Sequence, residues 1–132
     1  MAESESVDRE VLDTFLTTLH PDSGEQMGRV IDLCLQDASS HMSEVRKACI
    51  AGSFDDLRRF VGNLGAVGCM VGAKRLSALC RAVEELVVLG CRTGAINLVS
   101  AVEREMLVVK NQLQALQREY QAIPALEGSS AH

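Results

Sequence analysis

A chain of 132 residues, 47% hydrophobic and 23% charged, is long enough to bury the core of one globular domain without staples. Its net charge of −5 and 3% of aromatic residues argue against a nucleic-acid binder, which needs a dense basic patch and stacking platforms. With no tryptophan, one tyrosine and two prolines, the interior has to be filled by Leu, Val, Ala, Met and Cys, which favours an all-helical bundle.

The opening MAESESVDRE is acidic and lacks the basic and apolar regions of a signal peptide, so residues 1–6 are expected to form a disordered arm. Val11, Leu12, Phe15, Leu16 and Leu19 then mark a short first helix from about Val7. It is too short to span a bundle and is expected to pack as a cap. His20 and Pro21 end it, because proline disfavours helix in the residue before it and Asp22, Ser23 and Gly24 are turn formers. From Glu25 to about Ala51 the apolar stripe runs Met27, Val30, Ile31, Cys34, Ala38, Met42, Val45 and Cys49, a long amphipathic helix with Gly52 at its C-terminal cap. Ser53 is placed to cap the next helix, with Asp55 and Asp56 in its positively polarised first turn.

The stretch from Ser53 to Ala73, SFDDLRRFVGNLGAVGCMVGA, organises the rest of the chain. Leu57, Val61, Leu64, Val67 or Gly68, and Val71 give it one apolar face. The opposite face carries Arg58, Gly62, Gly65, Ala66 and Cys69, and each interior glycine costs about 1 kcal/mol of helix stability relative to alanine. Something has to offset that cost. A fourth helix follows through Leu76, Leu79, Cys80, Val83 and Val87 to Gly90, with Arg81 and Glu85 spaced as an exposed i,i+4 pair.

A short loop, Cys91 to Gly94, implies antiparallel neighbours. In the last helix Val99, Val102, Met106, Val109, Leu113, Leu116 and Tyr120 form a heptad-like seam broadened by Leu107 and Val108, with a far end expected to overhang. Pro124 closes it and 124–132 reads as a flexible tail. The fold expected over 7–123 is therefore an all-α, antiparallel up-and-down four-helix bundle with a short N-terminal capping helix. The longest uncharged run, Phe60 to Ala73, falls short of the roughly 20 residues that span a bilayer, so the expectation is a cytoplasmic protein with no membrane partner.

Few residues offer chemistry. The five cysteines show no C-x-x-C spacing, which fits neither a disulfide framework nor a zinc site, and they read as reduced core residues. His20, His41 and His132 have no metal-ligand spacing, and His41 reads as a polar residue near a helix face. The glycines lie inside helical periodicity rather than at a strand-to-helix turn, so they form no phosphate cradle. Cys69 has no histidine or acid placed beside it by helical spacing and reads as a half-buried small residue. No catalytic residue, metal or cofactor is expected.

Two flanking motifs carry a resemblance. Ala48 to Gly52 followed by Phe54-Asp55-Asp56-Leu57-Arg58-Arg59, and Val71-Gly72-Ala73-Lys74-Arg75-Leu76 with Cys80 and Glu84 beyond, resemble the two ends of the active helix of a histidine-containing phosphotransfer (HPt) domain. The resemblance runs from the first helix to about Leu116 and implies a four-helix phosphorelay module that exchanges phosphate with receiver domains. The family's centre has a histidine, then two residues, a lysine and a glycine. Counting back from Gly72-Ala73 sets Gly62 at the phospho-histidine, Gly65 at the lysine and Ala66 at the glycine.

Glycine has no nucleophile, the amide of Asn63 is none either, and the lysine that would balance a phosphoryl group is gone. His41, on another helix, cannot simply take over. The resemblance thus implies a pseudo-HPt domain, a non-catalytic module that binds a response-regulator receiver domain or a sensor histidine kinase. Its partner face would be Arg58, Arg59, Gly62, Asn63, Gly65, Ala66 and Cys69, with Arg58 and Arg59 steering a receiver's acidic pocket. The alternative is a structural or adaptor bundle that homodimerises or binds a partner helix through the glycine groove or the last helix. In either case Gly62 and Gly65 are expected to be exposed, so that alanine there stabilises the fold by about 1 kcal/mol each.

Overall fold

The computed structural model describes residues 6–19 and 21–123, and within them the chain forms five helices and no strand. They are α1 (Arg9–Thr18), α2 (Gly24–Ala51), α3 (Phe54–Met70), α4 (Lys74–Val88) and α5 (Arg92–Gln121). The start of α1 is fixed by Asp8, whose carboxylate accepts the N–H groups of Glu10 at 3.0 Å and Val11 at 3.4 Å, so the helix begins two residues later than Val7. His20, expected to end it, lies outside the described residues, as do Pro124 and the tail.

Ser23 caps α2 by accepting the Gln26 N–H, and Gly52 ends it at φ 68°, a left-handed conformation that only glycine adopts without strain. The Ser53 N–H then reaches back to the Ala48 carbonyl at 3.0 Å. Ser53 does occupy the N-cap of α3, but its side chain makes no capping hydrogen bond. The turn into α5 is also tighter than expected. Cys91 is the cap, and Arg92, Thr93 and Gly94 already belong to the helix.

α2, α3, α4 and α5 pack in a ring, each against two neighbours, while α1 touches α3. Side-chain partners run in opposite directions along adjacent helices. Gly28 and Arg46 of α2 meet Gln117 and Glu103 of α5, and Arg75 of α4 meets Glu105 of α5. The core is aliphatic, as the composition demands: Leu12 and Leu16, Ile31, Met42 and Val45, Leu57, Val61 and Leu64, Leu76 and Val83, and Val102 are fully buried.

Three expectations fail. Leu107 and Val108 do not broaden the seam of α5, since both side chains are exposed on its outer side. The far end of α5 does not overhang either. Tyr120 is buried, Gln117 donates to the Gly28 carbonyl at 2.7 Å, and Glu119 pairs with Arg9 at 2.8 Å. Finally, Ser6 is buried rather than part of a free arm. The N–H groups of Ser6 and Val7 both donate to Gln112 Oε1, at 2.7 and 2.9 Å, the Asp8 N–H donates to the Gly72 carbonyl at 2.8 Å, and Asp8 pairs with Lys74 at 2.9 Å. Residues 6–8 are thus strapped across α5 and the α3–α4 turn.

Candidate functional site

The glycine side of α3 is covered by α4. The two helices run antiparallel with matched three- and four-residue steps: Gly68 faces Ser77, Gly65 faces Cys80 and Gly62 faces Glu84. A β-carbon on Gly65 would sit 3.1 Å from the β-carbon of Cys80, and one on Gly68 would sit 3.3 Å from the Ala73 carbonyl oxygen. One on Gly62 would lie 2.9 Å from Glu84 Oε2. Close backbone approach is what offsets the weak helix propensity of these glycines, because α4 gains dispersion contact along the length of the seam.

The expectation that Gly62 and Gly65 form an exposed groove is therefore wrong for Gly65, which is buried, and half wrong for Gly62, which is half-buried. Periodicity within α3 separates its faces but carries no information on how near a neighbour comes. The signal that could have shown it lies on α4, where Ser77, Cys80 and Glu84 share one helical face at three- and four-residue steps.

The seven predicted site residues divide three ways. Gly62 and Gly65 belong to the seam. Arg59, Asn63 and Ala66 are exposed together on the side away from α4. There Arg59 pairs with Asp56 at 3.2 Å and its guanidinium lies 4.6 Å from the centroid of the Phe60 ring. The Phe60 ring also lies 6.4 Å from the ring of His41, whose Nε2 is 3.3 Å from Asp37, so this edge of α3 is continuous with α2. Arg58 and Cys69 lean instead toward α4. Cys69 Sγ is 3.0 Å from Ser77 Oγ, and Arg58 lines a groove with Arg81, Glu84 and Glu85. Arg81 and Glu85 are both exposed, and among the described residues they form no ion pair with each other.

Glu84, which the sequence reading left out of the site, dominates its chemistry. Its carboxylate stands over position 62, the place the family resemblance gives to the phospho-accepting residue, and would repel an incoming phosphoryl group. Position 65, where a lysine would neutralise that group, is walled in by Cys80. The Cys80 thiol cannot serve as a nucleophile in its place: burial first, then the Glu84 carboxylate and Cys69, push it up to about 12, so it stays protonated.

Comparison with known proteins identifies the family and the fold. The Hpt domain model matches residues 29–119, from the first turns of α2 almost to the end of α5. The crystal structure of histidine-containing phosphotransfer protein B from Pseudomonas aeruginosa PAO1 superposes with a TM-score of 0.78 at 21% identity, covering 87% of this chain and 96% of that one. A histidine-containing phosphotransfer protein from rice superposes with a TM-score of 0.74, also at 21% identity, covering 92% of this chain and 89% of its own. No curated protein matches in sequence. With the family model spanning most of the chain and the same fold in both structures, this chain belongs to the Hpt domain family.

Proposed function

We propose that this chain is a pseudo-HPt domain of the cytoplasm. In this reading α2 to α5 are the up-and-down bundle, α1 is its cap, and the module binds a receiver domain or a sensor histidine kinase without relaying phosphate. Membership of the Hpt family implies a role in phosphorelay signalling, and Hpt domains are phosphotransfer carriers rather than classical enzymes. The observation that carries the non-relaying reading is position 62. It holds no side chain, and a carboxylate stands 2.9 Å from where its β-carbon would be. Phosphotransfer needs a nucleophile and a compensating cation at that point, and the site supplies an anion instead.

Binding is left to the exposed side of α3. Arg59, Asn63 and Ala66 lie there beside Met70, a mixed basic, polar and apolar surface of the kind that meets an acidic protein face. Arg59 has part of its charge answered by Asp56, so steering is shared with Arg58, whose guanidinium forms no ion pair among the described residues. No helix of the described residues is long and apolar enough to cross a membrane.

Incubation with phosphorylated receiver domains tests both halves. The expected result is no acid-labile phosphate on the chain, together with amide shifts at Arg59, Asn63 and Ala66 in an NMR titration. Phosphate mapped to any histidine, with His41 the first to inspect, overturns the reading.

A further inference from the structure

On the other side of position 62 a groove of about 460 Å³ runs between α3 and α4, lined by Arg58, Arg81, Glu84, Glu85, Val88 and Leu89. Its floor at the end of α4 is apolar and open: Val88 is 63% exposed and Leu89, the C-cap, 78%. Its walls carry two arginines and two glutamates. Among the described residues none of these four forms an ion pair, although exposed charges elsewhere on the chain do so repeatedly, as in Arg9 with Glu119 and Arg46 with Glu103.

We infer that this groove is the contact between two copies of the chain, related by a two-fold axis. A two-fold interface sets each surface against itself, so the groove has to complement its own charges. A groove of one sign would repel its copy. This one has two positive and two negative groups around an apolar centre, and rotation by half a turn can set the arginines of one copy against the glutamates of the other while Val88 and Leu89 pack together. A strongly acidic or strongly basic partner would gain from one pair of walls and lose on the other. The chain as a whole carries −5, which disfavours a second copy, whereas the four charged residues of this groove sum to zero. The contact shares Arg58 with the receiver-binding surface proposed above, whose other residues Arg59, Asn63 and Ala66 lie on the side of α3 away from α4.

Charge exchange tests this directly by sedimentation equilibrium. The wild-type chain is expected to rise from 14.3 kDa toward twice that mass at micromolar to high-micromolar concentration. The variant Arg58→Glu/Arg81→Glu and the variant Glu84→Lys/Glu85→Lys should each weaken self-association at least tenfold, and an equimolar mixture of the two should restore it. Leu89→Ser, at an exposed position with no core role, should weaken it while leaving the melting temperature unchanged. A wild-type chain that stays at the monomer mass overturns the inference, as does a dimer indifferent to Leu89→Ser, or a mixture no tighter than its components. Amide shifts at Val88 and Leu89 on adding a receiver domain to a monomeric chain would assign the groove to that partner and remove the two-fold contact.

Discussion

Alanine at Gly62 and at Gly65 should move stability in opposite directions. On propensity alone each change favours the helix by about 1 kcal/mol. At Gly62 the new methyl group meets Glu84 Oε2 at 2.9 Å, the far end of a half-buried, flexible side chain that can swing outward, so most of that gain survives. At Gly65 it meets the β-carbon of Cys80 at 3.1 Å. That atom moves only with the backbone of α4, so the whole helix has to give by a few tenths of an ångström, an overpacking cost of roughly 1–3 kcal/mol that exceeds the propensity gain. The expected outcome is Gly62→Ala more stable than the wild type by up to about 1 kcal/mol, and Gly65→Ala less stable by about 1 kcal/mol. Urea midpoints at unchanged slope measure both, and thermal melts should separate the two variants by about 8 °C, at roughly 4 °C per kcal/mol for a chain of this length. A Gly65→Ala protein as stable as Gly62→Ala would refute the close approach of α4 and return Gly65 to the exposed face expected from the sequence.

Gly62→His alone should take up little acid-labile phosphate from a phosphorylated receiver domain, and adding Glu84→Ala should raise uptake at least about tenfold, because one carboxylate beside the phosphoryl group is worth more than 1.4 kcal/mol at an intermediate dielectric. Equal uptake by the single and double variants in a radiolabel assay would remove Glu84 from the argument. Iodoacetamide at pH 8 should modify the exposed Cys69 and Cys91 in the native protein and reach Cys80 only in denaturant, read by peptide mass spectrometry; native labelling of Cys80 would contradict its raised thiol. The hydrogen bond from Lys74 holds the Asp8 carboxyl below its ordinary 3.8, so the strap is favoured above that value and loosens as pH falls through the depressed one. Asp8 in turn raises Lys74 above its ordinary 10.5, so the pair contributes fully below that value and is lost as pH rises through the raised one. Protection of the Asp8 amide relative to its intrinsic exchange rate should therefore fall in acid, and Lys74→Ala should make it low already at neutral pH. An amide equally protected in that variant would show that the pair does not hold the strap.

Much of the fold was legible because it rests on local chemistry. Gly52 marked the end of α2 through its left-handed backbone, and the stripe of Leu57, Val61 and Leu64 marked the buried face of α3. What escaped was long-range. Leu107 and Val108 are apolar by composition, yet their angular position on α5 turns them outward, and the seam from Ala95 to Tyr120 reports the core. Ser6 looked like solvent-facing chain because nothing near it announces Gln112, 106 residues away. The candidate site suffered most. The pattern within α3 alone makes its glycines resemble a surface open to an outside partner, whereas the first turn of α4, Cys80 and Glu84 already fill the space.

The interlock of α3 with α4 also has a mechanical side. Three notches on α3 meet the Glu84 and Cys80 side chains and the backbone of the first turn of α4 in a single register, so sliding by one turn, about 5.4 Å, would drive the Glu84 carboxylate against buried Gly65 and Cys80 into the tight corner at Gly68. Such a ratchet has one seat. The close fit braces α3 and α4 against sliding past one another.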